Sequence, residues 1–260
     1  MRIAIFQVDA FTNVRFKGNP AAVCLLDEWI SDDLMQHIAA ENNLSETAFF
    51  IKTKEGFHIR WFTPVTEVDL CGHATLATAA VIFEKLDYKL DKILFQSKSG
   101  MLTVGRREDD YILNFPTDKI TQTETDPNLH EALGIAPLKS FKGREDFLLI
   151  YENEQQIRDL TPDFNKLAAI TQRGVIVSAP GNEFDFVSRF FAPAVGIEED
   201  PVTGSAHTSL TPYWAEELGK ESLTAKQLSQ REGMLRCTHK GDRTEIAGKV
   251  AFYLEGIIQV

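Results

Sequence analysis

An internal repeat constrains the fold of this chain more than any other feature of the sequence. Each copy consists of an aromatic, strand-like segment followed by a short turn that contains glycine. The matching segments are Arg60-Trp61-Phe62-Thr63-Pro64 with Arg189-Phe190-Phe191-Ala192-Pro193, and Cys71-Gly72-His73-Ala74 with Thr203-Gly204-Ser205-Ala206. Because a repeated sequence unit folds into a repeated structural unit, we expect two similarly folded halves.

The boundary between the halves is expected in a polar stretch from Pro116 to Pro127, since proline-bracketed polar segments commonly act as linkers. We therefore predict an N-terminal half over residues 1–117 and a C-terminal half over residues 118–260. A last strand near residues 250–260 is predicted to complete the N-terminal half.

Within each half, the sequence predicts strands around one apolar helix. Residues 74–83 carry no charge, and a helix that is apolar all round belongs inside a fold. Residues 206–215 are its counterpart, in which Pro212 is expected to produce a kink. A further helix is predicted over residues 32–41 with Ser31 as its N-cap. Strands are predicted over residues 2–8, 48–52, 58–62, 93–96, 102–106 and 111–115.

Composition excludes several classes of protein. With 38 acidic and 27 basic side chains the net charge is −11, which argues against binding to nucleic acid or to an anionic membrane. The three cysteines indicate neither a disulfide framework nor a metal-binding pair. The N-terminus lacks the apolar stretch of a signal peptide, and no apolar run reaches the roughly 20 residues that span a bilayer. A cytoplasmic protein is therefore expected.

The two glycine turns, at Gly72 and Gly204, suggest a site for an anion. A helix start leaves backbone N–H groups without partners and carries the positive end of the helix dipole. Glycine allows a ligand to approach the backbone closely. One such turn is explained by structure alone, but two at matched positions favour a carboxylate bound between the halves.

Three side chains near these turns are candidates for chemistry, and each has a structural alternative. Glu46 enters an apolar strand, where desolvation would suit a general acid or base, but it could equally be a surface residue. Its counterpart in the repeat is Gly174, so a carboxylate is expected on one side only. His73 is a proton relay, an anion contact or a buried structural histidine. Asp200 orients a base, binds an amine or caps the following helix.

Five motifs resemble the PhzF-like family of phenazine-biosynthesis isomerases in both order and spacing. They are Asp9-Ala10-Phe11-Thr12, Gly18-Asn19-Pro20-Ala21-Ala22-Val23, Leu44-Ser45-Glu46-Thr47-Ala48-Phe49, Asp69-Leu70-Cys71-Gly72-His73-Ala74-Thr75 and Glu199-Asp200-Pro201-Val202-Thr203-Gly204-Ser205-Ala206-His207. The resemblance implies an α+β fold like that of diaminopimelate epimerase. Its two pseudo-symmetric halves would each be a barrel-like, mostly antiparallel sheet around a central helix, with a cleft between them. It also implies a homodimer.

The same resemblance implies a cofactor-independent and metal-free isomerase that moves a proton on a small, carboxylate-bearing substrate, as in the isomerisation of dihydro-hydroxyanthranilate. Glu46 would be the general acid and base, with His73 and Asp200 as further catalytic residues. The residues that would bind the substrate are Gly72, Gly204, Ser205 and Asn19.

Two other functions stay open at this point. An amino-acid racemase of the two-base type needs an ionisable group before each glycine turn. Cys71 fits the first position, but Thr203 stands at the second, and a threonine hydroxyl hardly ionises near neutral pH. A binding or scaffold protein could keep the cleft without the chemistry, although the presence of four candidate site residues argues against it: Glu46, His73, Asp200 and Ser205.

Overall fold

The two ends of the chain belong to the same sheet in the computed structural model, which describes all 260 residues. Strand β1 (Arg2–Ala10) pairs antiparallel with the final strand, β17 (Val250–Gln259). The chain divides into two compact units, of which unit 1 is Met1–Asn114 with Ala247–Val260 and unit 2 is Phe115–Ile246.

Unit 1 contains a mixed sheet and two helices. Its further elements are β2 (Asn19–Leu26), α1 (Asp32–Asn42), β3 (Glu46–Lys52), β4 (Phe57–Phe62), β5 (Glu67–Val68), α2 (Gly72–Lys85), β6 (Lys92–Ser97), β7 (Gly100–Arg107) and β8 (Asp110–Pro116). The pairs β2–β3 and β4–β6 are parallel, whereas β1–β2, β3–β4, β4–β5, β6–β7 and β7–β8 are antiparallel. A parallel pair requires a crossover connection, and α1 and α2 supply the two crossovers.

Unit 2 follows the same pattern. Its elements are β9 (Thr121–Thr123), α3 (Pro127–Leu133), β10 (Lys139–Lys142), β11 (Phe147–Ile150), α4 (Glu154–Asp159), α5 (Phe164–Ile170), β12 (Val175–Pro180), β13 (Phe186–Phe191), a 3₁₀ turn (Pro193–Val195), α6 (Ala206–Leu218), β14 (Ser222–Gln227), β15 (Gly233–Lys240) and β16 (Arg243–Gly248). The parallel pairs are β11–β12, which α4 and α5 connect, and β13–β14, which α6 connects. The pairs β9–β10, β10–β11, β12–β13 and β14–β15 are antiparallel.

Helix α2 lies in the core of unit 1, as its charge-free sequence predicts. Every residue from His73 to Phe83 is buried, and the helix contacts β1, β2, β3 and β7. Its buried threonines, Thr75 and Thr78, donate their hydroxyl protons to the carbonyls of Cys71 and Ala74. The helix therefore leaves neither hydroxyl without a hydrogen-bond partner in the core. No helix of the structure is both long and apolar enough to cross a membrane.

Helix α6 runs from Ala206 to Leu218 through Pro212, the residue expected to disturb it. Proline has no N–H to donate to the carbonyl of Thr208, one turn earlier. The backbone N–H of Asp118 donates to that carbonyl instead, at 3.2 Å. The Asp118 carboxylate also accepts a hydrogen bond of 2.8 Å from the hydroxyl of Ser209. A donor from another part of the chain thus replaces the hydrogen bond that the proline removes.

The same contacts correct the prediction of a linker over residues 116–127. Unit 2 already begins at Phe115, and strand β9 within the segment pairs with β10. Asp118 binds to α6 through both its backbone and its side chain. The segment is therefore an integral edge of unit 2 rather than a loose connection.

His207, in the first turn of α6, is fully buried. Burial lowers the pKa of His207 to about 4, and the hydrogen bond with the Thr203 carbonyl, at 2.8 Å from Nδ1, acts in the opposite direction. The folded chain therefore keeps this imidazole neutral under conditions in which an unfolded chain would protonate it.

We predict that the free energy of unfolding falls as the pH falls from 6.5 toward about 4. The unfolded chain binds a proton at His207 over this range, whereas the folded chain does not, so acid favours unfolding by up to about 1.4 kcal/mol per pH unit. Urea unfolding at a series of pH values should show a smaller slope for His207→Gln, which keeps an N–H donor. His37→Gln is the control for the replacement of a histidine by glutamine, because that side chain is exposed on α1. An equal slope for His207→Gln and the parent would contradict the prediction.

Candidate active site

Glu46 is the first residue of β3, which begins two residues earlier than predicted. It pairs in parallel register with Ala21 of β2, and only 9% of its surface is exposed. The interpretation of Glu46 as a surface glutamate is therefore wrong. Its carboxylate is held at the end of a strand inside unit 1.

His73 lies beside this carboxylate. Helix α2 begins at Gly72 with Cys71 as its N-cap, which places His73 in the first turn. Its Nε2 atom is 3.2 Å from Oε2 of Glu46, and its Nδ1 atom is 3.5 Å from Sγ of Cys71. The Nε2 and Oε2 atoms lie within hydrogen-bonding distance, but their contact does not meet the geometry of a hydrogen bond.

The imidazole of His73 is neutral in the folded protein. Burial lowers the pKa of His73 to about 3, and a hydrogen bond with the backbone of Pro20 acts in the opposite direction. The contact with Glu46 is consequently not an ion pair. A neutral imidazole next to a carboxylate can orient or relay a proton without cancelling the charge of the carboxylate.

The other predicted residues of unit 1 lie near the same point. Gly72 is the partly buried first residue of α2, and glycine places no side chain beside the first backbone N–H groups of the helix. Asn19 is the buried first residue of β2 and precedes Pro20, whose backbone contacts the His73 ring. Unit 1 therefore brings together Glu46 and His73 with both of its predicted substrate-binding residues.

Asp200 is fixed in a turn of unit 2. Its Oδ2 atom accepts a hydrogen bond of 2.5 Å from the hydroxyl of Thr203, and its carbonyl accepts one of 2.7 Å from Nε2 of Gln227. Gln227 also accepts a hydrogen bond of 2.9 Å from the backbone N–H of Thr203. The N-cap of α6 is Ser205, so the interpretation of Asp200 as the cap of this helix is wrong.

Ser205 and Gly204 form the turn that leads into α6. The Ser205 hydroxyl lies 3.3 Å from both terminal nitrogens of Arg173, and that guanidinium also forms an ion pair with Asp146. Nothing in the local sequence points to Arg173 as a residue near this turn. A single arginine before a glycine gives no pattern, and only the fold brings it to the turn at Ser205.

The register of the two units shows which residue corresponds to Glu46. In unit 1, Thr47 follows Glu46 in β3 and pairs with Phe62, the last residue of β4. In unit 2, Val175 of β12 pairs in the same way with Phe191, the last residue of β13. The residue before Val175 is Gly174. Gly174 therefore occupies the position of Glu46, in agreement with the alignment of the repeat.

Gly174 has no room for a side chain. A Cβ atom at this residue would lie 2.5 Å from Cζ of Phe190 and 2.8 Å from the carbonyl oxygen of Phe191. Atoms do not approach so closely without displacement of the ring and the backbone. The packing of unit 2 thus excludes a second carboxylate at the position that carries one in unit 1.

We predict that Gly174→Ala lowers the free energy of unfolding by about 1–3 kcal/mol, the usual cost of overpacking a core. Gly105→Ala is the matched control, since a Cβ there meets its nearest atom, the Asp91 carbonyl oxygen, at 3.9 Å. Urea unfolding of both variants tests the prediction. If Gly174→Ala were as stable as Gly105→Ala, steric exclusion would not account for the glycine.

Comparison with known proteins now assigns the chain to a family. Residues 8–256 match the family described as phenazine biosynthesis-like protein. The chain is 50% identical to an uncharacterized isomerase of Pseudomonas aeruginosa, over 100% of both chains. The crystal structure of a PhzF-family phenazine biosynthesis protein from Enterococcus faecalis superposes with a TM-score of 0.98 at 43% identity, again over 100% of both chains. The chain belongs to the phenazine biosynthesis-like, or PhzF, family.

The comparisons also bear on the fold and on the enzyme class. Several relatives are named isomerases, and the prediction of an isomerase is confirmed at the level of the class. A predicted epimerase from Pseudomonas aeruginosa superposes with a TM-score of 0.74 over 99% of both chains. At 17% identity this is a likeness of fold alone. Together with the PhzF structure, it confirms the predicted α+β, epimerase-like fold.

Proposed function

We propose that the protein is a cofactor-independent isomerase that moves a proton on a small substrate bearing a carboxylate, with Glu46 as the general acid and base. One observation carries the proposal. The buried carboxylate of Glu46 lies 3.2 Å from the imidazole of His73 at the start of α2. The isomerases among the relatives support the reaction class, and the geometry supports the choice of the proton carrier.

In this reaction Glu46 takes a proton from one carbon of the substrate and returns a proton to another, which shifts a double bond. A general acid or base must be held within hydrogen-bonding distance of the proton that it transfers. The pairing of β2 with β3 fixes the backbone of Glu46 and thereby restricts the positions that its carboxylate can take. His73, which burial keeps neutral, would orient the carboxylate or relay a proton to it.

The start of α2 is suited to binding the substrate carboxylate. Its first backbone N–H groups and the positive end of the helix dipole attract an anion, and Gly72 permits a close approach. We propose Asn19, Gly204 and Ser205 as further substrate-binding residues. Asp200, which Thr203 holds in place, would act on a polar or amino group of the substrate. The homodimer and the cytoplasmic location stay predictions.

A two-base racemase is disfavoured by the environment of Thr203. This residue occupies the position at which a racemase needs its second ionisable group. Its hydroxyl donates a 2.5 Å hydrogen bond to Asp200, and a threonine hydroxyl hardly ionises near neutral pH. A proton can therefore be exchanged by a carboxylate on one face of the substrate, with no comparable base at Thr203.

We predict that Glu46→Gln lowers turnover by at least about 10⁴-fold, the upper end of the usual contribution of a general acid or base, and changes KM far less. Glutamine keeps the size and the hydrogen bonding of the side chain but cannot take up a proton. Candidate small carboxylated amines would be found by thermal shift with the parent protein. Turnover and loss of substrate protons to deuterated water would then be measured.

Two variants complete this experiment. Glu41→Gln, exposed on α1, is the matched control and should behave like the parent. His73→Asn should lose less turnover than Glu46→Gln if the histidine only orients or relays. Proton exchange by Glu46→Gln at the parental rate would remove the central support of the proposal. Binding without exchange in the parent would indicate a binding protein, and exchange with inversion would indicate a racemase.

We predict that Cys71→Ser keeps most of the turnover of the parent. The proposed reaction uses one carboxylate, and the counterpart of Cys71 is the non-ionising Thr203. Serine also preserves a polar side chain at the N-cap of α2. A loss of about a thousandfold or more in steady-state turnover, which is the scale of a general acid or base, would show that thiol chemistry takes part.

A further inference from the structure

Three different metal-binding groups meet at the start of α2. A carboxylate oxygen of Glu46, the Sγ atom of Cys71 and a ring nitrogen of His73 all lie within 4.8 Å of one another, and all three residues are buried. Two shorter contacts run through different nitrogens of the ring, at 3.2 Å between His73 Nε2 and Glu46 Oε2 and 3.5 Å between His73 Nδ1 and Cys71 Sγ. One ion would bind only one of these nitrogens, so the 4.8 Å limit describes the ligand set. The proton transfer proposed above makes no use of the thiol.

This set of groups matches the preferences of Zn²⁺. Zinc binds thiolate sulfur, imidazole nitrogen and carboxylate oxygen at about 2.0–2.3 Å, which places the ligand atoms of a tetrahedral site about 3.3–3.8 Å apart. The observed separations require movements of the order of 1 Å at most, within reach of small side-chain rotations. Mg²⁺ and Ca²⁺ take oxygen ligands almost exclusively, so a site with sulfur and nitrogen selects against them.

The charges agree with a divalent ion as well. A carboxylate, a thiolate and a neutral imidazole carry two negative charges, which balance one M²⁺ ion. On binding, the Cys71 thiol releases its proton to solvent as the sulfur–metal bond forms, and no oxidation or reduction takes place.

We propose that Glu46, Cys71 and His73 form a site for a borderline-soft divalent cation of the Zn²⁺ class, and that the bound ion inhibits the enzyme. The binding stands on the geometry of the three groups alone. The inhibition rests on the proposed function, because the ion would occupy the carboxylate lone pairs that must accept the substrate proton.

The other two cysteines serve as a comparison. Cys24 and Cys237 are also buried, but neither belongs to a group of three metal-binding side chains. A thiolate–metal signal should therefore depend on Cys71 and not on Cys24.

The test is a titration of the full-length protein with Cd²⁺ in the absence of substrate, followed by the near-ultraviolet charge-transfer absorption of the Cd–thiolate bond. We expect a band that saturates at about one equivalent, that Zn²⁺ displaces and Mg²⁺ does not, and that a chelator reverses. Cys24→Ser should keep the band and Cys71→Ser should lose it. Absence of the band, its persistence in Cys71→Ser or its loss in Cys24→Ser would overturn the site.

If Cys71→Ser does not fold, Glu46→Gln is the alternative variant for the Cd²⁺ titration, because it keeps the thiol and removes one ligand. Its Kd for Cd²⁺ should rise by at least about tenfold, since loss of even an outer-shell partner costs 10–100-fold in affinity. An unchanged Kd would exclude the carboxylate as a ligand and overturn the three-residue site.

The inhibition is measured separately, as a reversible loss of proton exchange in the parent protein on addition of Zn²⁺. Saturation of the site with no loss of exchange would overturn the inhibition and leave the site intact. Because the Cd²⁺ band needs no substrate, failure of the metal site and failure of the isomerase proposal give different results.

Discussion

Burial of the first turn of α2 determines the chemistry available to this protein. The turn lies in the core of unit 1, so it removes His73 and Cys71 from water and brings them to the carboxylate at the start of β3. Burial keeps the imidazole of His73 neutral. The side chain of Glu46 thereby has a close polar neighbour that carries no charge of its own. An exposed helix start with the same residues would leave the histidine free to ionise near neutral pH.

The two units share one pattern of strand pairing but differ at the position of the residue that we propose as the proton carrier. Register places Gly174 of unit 2 where unit 1 carries Glu46. The ring of Phe190 and the backbone of Phe191 fill the space that a side chain would need there. The repeat thus produces two similar frameworks, and local packing gives a buried carboxylate to only one of them. This asymmetry favours an isomerase with a single base over a racemase with two.

Much of this architecture is predictable from local sequence. The absence of charge from residues 74–83 predicts a buried helix, and Ser31 marks the start of α1. Features that depend on distant residues are not predictable in this way. Nothing near Pro212 indicates that the backbone of Asp118 will replace its missing hydrogen bond, and nothing near Arg173 indicates its contact with Ser205. The sequence predicts the start of β3 two residues too late, because the polar Glu46 resembles part of a turn, whereas its pairing with β2 makes it the first residue of the strand.

The central claim is that one carboxylate, Glu46, both removes and returns the proton. The most direct test is the stereochemistry of isomerisation by the parent protein in deuterated water, followed by NMR of the product. With a single base, deuterium should enter at one carbon and on the same face of the substrate from which the proton was lost. Deuterium delivered to the opposite face would require a second base and would contradict the claim.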